Sequence, residues 1–213
     1  MKIPFVDFAP MHGPIRQEMV AAFEEVYDKG WFIGGSHCTE FEKNFAAWCG
    51  TPYCVGCGNG LDALHLILKA AGIGEGDEVI VPAITFVATM AYPLAIGCKL
   101  VFADVDPRTI NMDPADVARK ITEKTKAIIP VDLHGMPCDY DEINALAKKY
   151  DLKVIADSCQ SHGATYKGRN VGTLADISVF SLNGLKNLEC GDGGLMNTDN
   201  LEYYEKANQL RVF

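Results

Sequence analysis

The sequence predicts an α/β fold: a mostly parallel, mixed seven-stranded sheet sandwiched by helices. Two observations carry that prediction. From about residue 53 onward short apolar runs alternate with helical patterns, the signature of parallel strands joined by crossover helices. The chain also has 213 residues, 48% of them hydrophobic, which is enough for one large buried core.

The elements follow in order. Residues 14–29 (PIRQEMVAAFEEVYDK) and 39–49 (TEFEKNFAAWC) read as amphipathic helices ahead of the sheet, with caps or turns at Gly30, Gly34, Gly35 and Gly50. Strands are predicted over 53–57 (YCVGC), 78–81 (EVIV), 100–103 (LVFA), 126–131 (KAIIPV), 153–156 (KVIA), 177–180 (ISVF) and 194–197 (GLMN). Helices are predicted over 60–71, 85–96, 114–121 and 139–150. A last helix starts at Asn200 and runs over 200–211 with no C-cap glycine, so the chain is expected to stop within an element. No internal repeat or low-complexity linker interrupts this order.

Composition narrows the function. Nineteen basic residues against 28 acidic ones give a net charge of −9, with no Lys/Arg cluster suited to a phosphate backbone, so nucleic acid is not expected as a partner. No stretch of eighteen apolar residues runs free of charge, and the opening MKIPFVDFAPMHG lacks the apolar core of a signal peptide. A cytoplasmic protein with no membrane partner is the expectation. The eight cysteines are scattered through apolar segments, as reduced core thiols would be. Cys54 and Cys57 form a CxxC, but no second pair or spaced histidines accompany it; a core strand, not a zinc site, is expected.

Three constellations carry chemistry. Gly58-Asn59-Gly60-Leu61-Asp62-Ala63 lies between a strand and a helix, where free N–H groups and the helix dipole bind anions. The same residues read as G-x-G-x-x-A, so a nicotinamide-binding Rossmann dehydrogenase is an alternative. Its ribose-binding acid should end the next strand, yet that strand ends in Pro82-Ala83 and its acids, Asp77 and Glu78, come first. In the second constellation, Val154-Ile155-Ala156-Asp157-Ser158-Cys159-Gln160-Ser161-His162-Gly163, Asp157 falls just past the end of an apolar strand, where α/β sites are built. A turn or N-cap would use the same residue type. The third, Ser178 to Gly194, is an apolar strand and a Gly-rich loop carrying one lysine, Lys186, near the hydroxyl of Ser181. A desolvated lysine of this kind can form an imine.

Taken in order, IPFVDF, GWFIGG, GNGLDALHLIL, GDEVIVPAITFVAT, ADVDP, IIPVDLHG, DSCQSHGATYKGRNVG and FSLNGLKNLECGDGG resemble the DegT/DnrJ/EryC1/StrS sugar aminotransferases over essentially the whole chain. The resemblance implies a pyridoxal 5'-phosphate (PLP) cofactor and the large domain of fold type I, with 1–213 forming an N-terminal segment plus that domain and the smaller C-terminal domain absent. It implies that Lys186 is the Schiff-base lysine, that Asp157 holds the pyridine nitrogen and that Gln160 contacts the ring 3-hydroxyl. It further implies that the backbone of Gly60 and Leu61 and the hydroxyl of Ser181 hold the phosphate, and that Phe86 stacks on the ring. His162 matches a histidine near the site. Leu61 stands where Thr is common, and Leu182 where a second Phe is usual.

The implied activity is amino transfer from an amino acid, L-glutamate by resemblance, to a keto sugar on a nucleotide diphosphate, as used in nucleotide-sugar and surface polysaccharide or antibiotic-sugar biosynthesis. GNG and GDGG resemble the 3-keto enzymes slightly more than the 4-keto ones. A homodimer is implied. A dehydratase branch of the family has His in place of the lysine, and Lys186 speaks against it. A truncated homologue that binds PLP or a partner without turnover is the non-enzymatic alternative.

Overall fold

The computed structural model of the chain describes residues 3–5 and 7–211. They fall into two units, Met1–Phe41 and Glu42–Phe213.

The first unit is helical. Helix α1 (Ala9–His12) and α2 (Arg16–Lys29) bury none of their described residues. Gly30 closes α2 in the left-handed region, at φ 64, where glycine meets no steric penalty. Helix α3 (Ser36–Cys49) spans the boundary, and its second half buries Phe45, Ala46 and Cys49. These bounds start later than predicted for α2 and earlier for α3, the usual uncertainty of helix ends.

The second unit holds the sheet. Its strands are β1 (Tyr53–Cys57), β2 (Glu78–Pro82), β3 (Lys99–Ala103), β4 (Thr125–Ile128), β5 (Lys153–Asp157), β8 (Ile177–Ser181) and β9 (Gly194–Thr198), set side by side as β1-β9-β8-β5-β4-β2-β3. All seven predicted strands are present. Every neighbouring pair is parallel except those made by β9, which runs antiparallel to both β1 and β8. A two-stranded ribbon, β6 (Thr165–Tyr166) and β7 (Arg169–Asn170), was not predicted, because two residues per strand give no alternation to read. Its signal is Lys167-Gly168, both at positive φ (50 and 80), the residues of a tight primed turn.

The helices α4 (Gly60–Ala70), α5 (Ala88–Ala95), α6 (Pro114–Lys120), α7 (Tyr140–Tyr150) and α8 (Leu201–Leu210) cover the two faces. Local chemistry starts most of them: the side chains of Asn59, Asp113 and Asn200 accept first-turn N–H groups of α4, α6 and α8. Alternate strand residues then feed two cores. Ile80, Ile128, Val154, Ala156 and Phe180 join one; Val79, Val81, Ala127, Ile129, Ile155, Ile177 and Val179 join the other. Each fully buried Ile or Leu contributes about 2 kcal/mol, so a sheet covered on both faces fixes its own register.

Candidate active site

The site begins where the strands end. Cys57, Asp157 and Ser181 are the last residues of β1, β5 and β8, and antiparallel β9 brings its first residue, Gly194, into register with both Cys57 and Ser181. Asn59 and Gly60 fold directly over Gly194, where an added Cβ would lie 2.1 Å from the Asn59 carbonyl oxygen. Gly60 is packed tightly too, though less so: its Cβ would stand 3.0 Å from both the Cys159 Sγ and the Ser181 Cβ. Two glycines thus let three backbone segments meet. The Asn59 side chain accepts the Asp62 N–H at 2.9 Å, leaving the first N–H groups of α4, at Gly60 and Leu61, without intrahelical acceptors. These donors, the helix dipole and the Ser181 hydroxyl make a cradle suited to a phosphate. The Leu61 side chain is exposed and adds no polar group.

Asp157 is buried, and its carboxylate accepts a hydrogen bond at 2.7 Å from the hydroxyl of Thr89, which is itself fully buried on α5. The Cys159 N–H donates to its other oxygen at 3.3 Å. Thr89 in turn pairs with Thr85 at 2.9 Å. An Asp serving only as a turn former would stay in solvent; this one is taken out of water and bonded on both oxygens. Gln160 follows in the exit turn, its side-chain oxygen accepting the His134 N–H at 3.1 Å. Phe86 sits one turn before Thr89, whose N–H donates to the Phe86 carbonyl at 3.2 Å. An exposure of 65% leaves Phe86 outside the core and free to cover a bound ring.

Lys186 rides on the loop between β8 and β9. That loop is closed at its base by Leu182 N–H to Gly193 O (2.7 Å) and Gly184 N–H to Gly191 O (3.0 Å), and Lys186 N–H bonds the Asn183 carbonyl at 2.8 Å. Its ammonium lies within electrostatic reach of Asp157's neighbours. Burial pushes the Cys159 thiol well up, the Asp157 charge adds to this, and Lys186 opposes it. Burial likewise pushes His162 down to about 4, a shift to which Lys186 adds and which the Ser181 backbone opposes. Neither ring nitrogen of His162 makes a hydrogen bond of good geometry. The ring packs on Phe180 with centroids 5.4 Å apart.

The sequence-predicted residues Gly60, Leu61, Asp157, Gln160, Ser181 and Lys186 therefore sit around one end of neighbouring strands, with Phe86 on the adjoining helix entry. Sequence reading missed two buried partners. Thr89 lay within a quoted motif but 68 positions from Asp157. Asp132 was passed over in IIPVDLHG, although it is fully buried and accepts from the Tyr140, Ser158 and Ser161 hydroxyls and the Cys138 N–H. The dehydrogenase alternative finds no support in Glu78, which starts β2 at the far end from the site and pairs with Lys99 at 2.7 Å and with Thr122. Cys54 and Cys57 are free thiols on β1, and no cluster of three metal-ligating side chains occurs among the described residues.

Comparison with known proteins decides the family. The profile of the DegT/DnrJ/EryC1/StrS aminotransferase family matches residues 14–213. The chain belongs to that family. One relative is the dTDP-3-amino-3,6-dideoxy-alpha-D-galactopyranose transaminase of Aneurinibacillus thermoaerophilus, 46% identical over 212 residues, which are 99% of this chain and 58% of the relative. Among solved structures, S. venezuelae DesV in complex with a ketimine intermediate superposes with a TM-score of 0.95 at 39% identity, covering 99% of this chain and 57% of DesV. The PLP form of the sugar aminotransferase Spr1654 from Streptococcus pneumoniae gives a TM-score of 0.86 at 32% identity, covering 90% and 54%. The fold is thus that of the PLP-dependent sugar aminotransferases, and the chain spans somewhat more than half the length of these relatives. The residues present fit PLP: the first N–H groups of α4 have no intrahelical acceptor and are open to an anion, the Asp157 carboxylate is buried at a neighbouring strand end, and no hydrogen bond of good geometry satisfies the buried His162 nitrogens.

Proposed function

We propose that the protein to which this chain belongs is a PLP-dependent aminotransferase that moves an amino group from an amino acid, L-glutamate, to a nucleotide-linked keto sugar. The observation that carries this reading is the convergence of a loop lysine, a buried carboxylate and a helix N-terminus at the ends of β1, β5 and β8. The 3-amino sugar in the name of the Aneurinibacillus relative supports a 3-keto over a 4-keto substrate. A homodimer is part of the proposal.

When bound, PLP would supply an electron sink for the negative charge that develops at the donor's Cα. The chain's own residues divide the remaining work. The N–H groups of Gly60 and Leu61 and the Ser181 hydroxyl bind the phosphate, and Gln160 takes the ring hydroxyl. Asp157, fixed by Thr89, holds the proton on the pyridine nitrogen. Phe86 covers the ring and excludes water from it. Lys186 anchors the cofactor and, once free, moves the proton from the donor's Cα.

The test is borohydride reduction of the full chain with PLP followed by peptide mass spectrometry. A pyridoxyl adduct on the peptide containing Lys186 is expected, and Lys186→Ala should lose the adduct and turnover together. An adduct elsewhere, or turnover retained in Lys186→Ala, would overturn the assignment. An adduct without amino transfer would favour a cofactor-binding homologue that does not turn over.

A further inference from the structure

The turn Asp157–Ser161 presents two of the groups that would face the cofactor, Asp157 and Gln160; β8 holds its first residues, through Ser158 N–H to the Val179 carbonyl at 2.9 Å, and the segment 130–135 braces it on the other side. Asp157 N–H donates to the Pro130 carbonyl at 2.9 Å, and Asp132 N–H returns a bond to the Asp157 carbonyl at 3.1 Å. Val131 pairs with Asp157 as the last rung between neighbouring strands. Beyond that rung the ladder ends and side chains take over. Because strand residues alternate, Ser158 points to the opposite face from the Asp157 carboxylate, and there its hydroxyl donates to Asp132 at 2.7 Å. The Ser161 hydroxyl lies 3.3 Å from the same oxygen and 3.2 Å from the Ser158 carbonyl, sharing its one proton between them. His134, in the left-handed region at φ 57 and followed by Gly135 at φ 87, aims its N–H at Gln160. Asn111 braces this strained turn, accepting from the Leu133 N–H at 3.3 Å and donating to the Met136 carbonyl at 2.8 Å.

We infer that Asp132 is a positioning residue for the cofactor clamp, fixing the Asp157–Ser161 turn so that Asp157 and Gln160 meet the ring in one geometry. This inference rests on the function proposed above. The physical case is the cost of the residue in its place. A carboxylate without solvent exposure is expensive to bury, and an apolar side chain would suit a place beside the buried Cys138 and Tyr140 better unless the acceptor has a task. Asp132 is the one acceptor here that joins the start of α7, through the Tyr140 hydroxyl and the Cys138 N–H, to the cofactor-facing turn, through Ser158 and Ser161. Losing it would free the turn to move by fractions of an ångström, which is enough to spoil alignment at a site. Asp132 touches no reacting atom.

The experiment compares the full chain with Asp132→Asn, reading the PLP dissociation constant from the visible absorption of the lysine-bound cofactor and the melting temperature of the cofactor-free protein. Asn fills the same volume but turns one acceptor into a donor facing Ser158 and Ser161. Folded Asp132→Asn is expected to bind PLP about tenfold more weakly, with an altered absorption band. A purely stabilising role would lower the melting temperature and leave the dissociation constant and band at their wild-type values, and that result would overturn the inference. If Asp132→Asn does not fold, Ser158→Ala/Ser161→Ala removes the two hydroxyl donors and leaves the Tyr140 and Cys138 bonds in place. Several-fold weaker binding in that variant supports the clamp, and unchanged binding overturns it. A wild-type chain that takes no borohydride adduct at Lys186 would instead remove the functional reading itself.

Discussion

Two buried side chains, Thr89 and Asp132, stand behind the carboxylate at the end of β5, and each lends itself to a separate measurement. Thr89→Val keeps the shape of the side chain but takes away the donor to Asp157, leaving a buried carboxylate oxygen short of a partner. That change is expected to lower stability by about 2 kcal/mol in urea unfolding and to weaken PLP binding; full stability in the variant would mean that the bond carries no weight. Asp132 has a consequence for pH. Burial raises it from the ordinary 3.8 to about 6, Asp157 adds to the rise, and the donors from Ser158, Cys138 and Tyr140 oppose it. A carboxyl with a raised folded-state pKa contributes stability that is fully present below about 3.8 and is lost as pH rises through about 6. The change is on the order of 3 kcal/mol. Asp132→Asn should therefore flatten the fall in stability between pH 4 and 6, measured by urea unfolding at stepped pH. An unchanged slope would show that another group is responsible.

At the scale of elements, the decisive arrangement is the approach of the β1–α4 turn to the start of β9. Gly194 makes it possible, since any Cβ there would overlap the Asn59 carbonyl and press on the Gly60 nitrogen, 2.9 Å away. Gly194→Ala is expected to cost about 3 kcal/mol and to weaken PLP binding through the displaced α4 N-terminus, checked by urea unfolding and cofactor titration. An Ala variant with an unchanged midpoint would mean that the turn relaxes freely. Helix α4 itself was legible in advance, because its Asn59 cap and its apolar face are local features, and the predicted 60–71 differs from Gly60–Ala70 by one residue. The entry to α5 was not. The chain turns through Thr85 to Val87 before the helix begins at Ala88, leaving Phe86 exposed instead of packed at a helix start.

Over the whole chain, stability is distributed unevenly. Neither α1 nor α2 buries a described residue, whereas α4 buries seven of its eleven, so the amide hydrogens of α2 are expected to exchange with solvent well before those of α4. Equal protection in a hydrogen-exchange experiment on the full chain would mean that α2 is covered in solution. No helix among the described residues is long and apolar enough to cross a membrane.

What the sequence determined by itself was local: the alternation of strands and helices, the caps, and the positions of Asp157, Ser181 and Lys186 at strand ends and in the loop beyond. Periodicity and capping operate over a few residues, so one stretch of chain contains all the information they need. The strand order β1-β9-β8-β5-β4-β2-β3 does not follow the chain, and only tertiary structure decided it. With that order came the contacts that depend on it: Thr89 on Asp157 from 68 residues away, Asp132 on Ser158 from 26, and Gly194 beneath Asn59. Such pairs leave no periodic trace, because their meeting is fixed by the burial of the sheet on both faces and not by spacing along the chain.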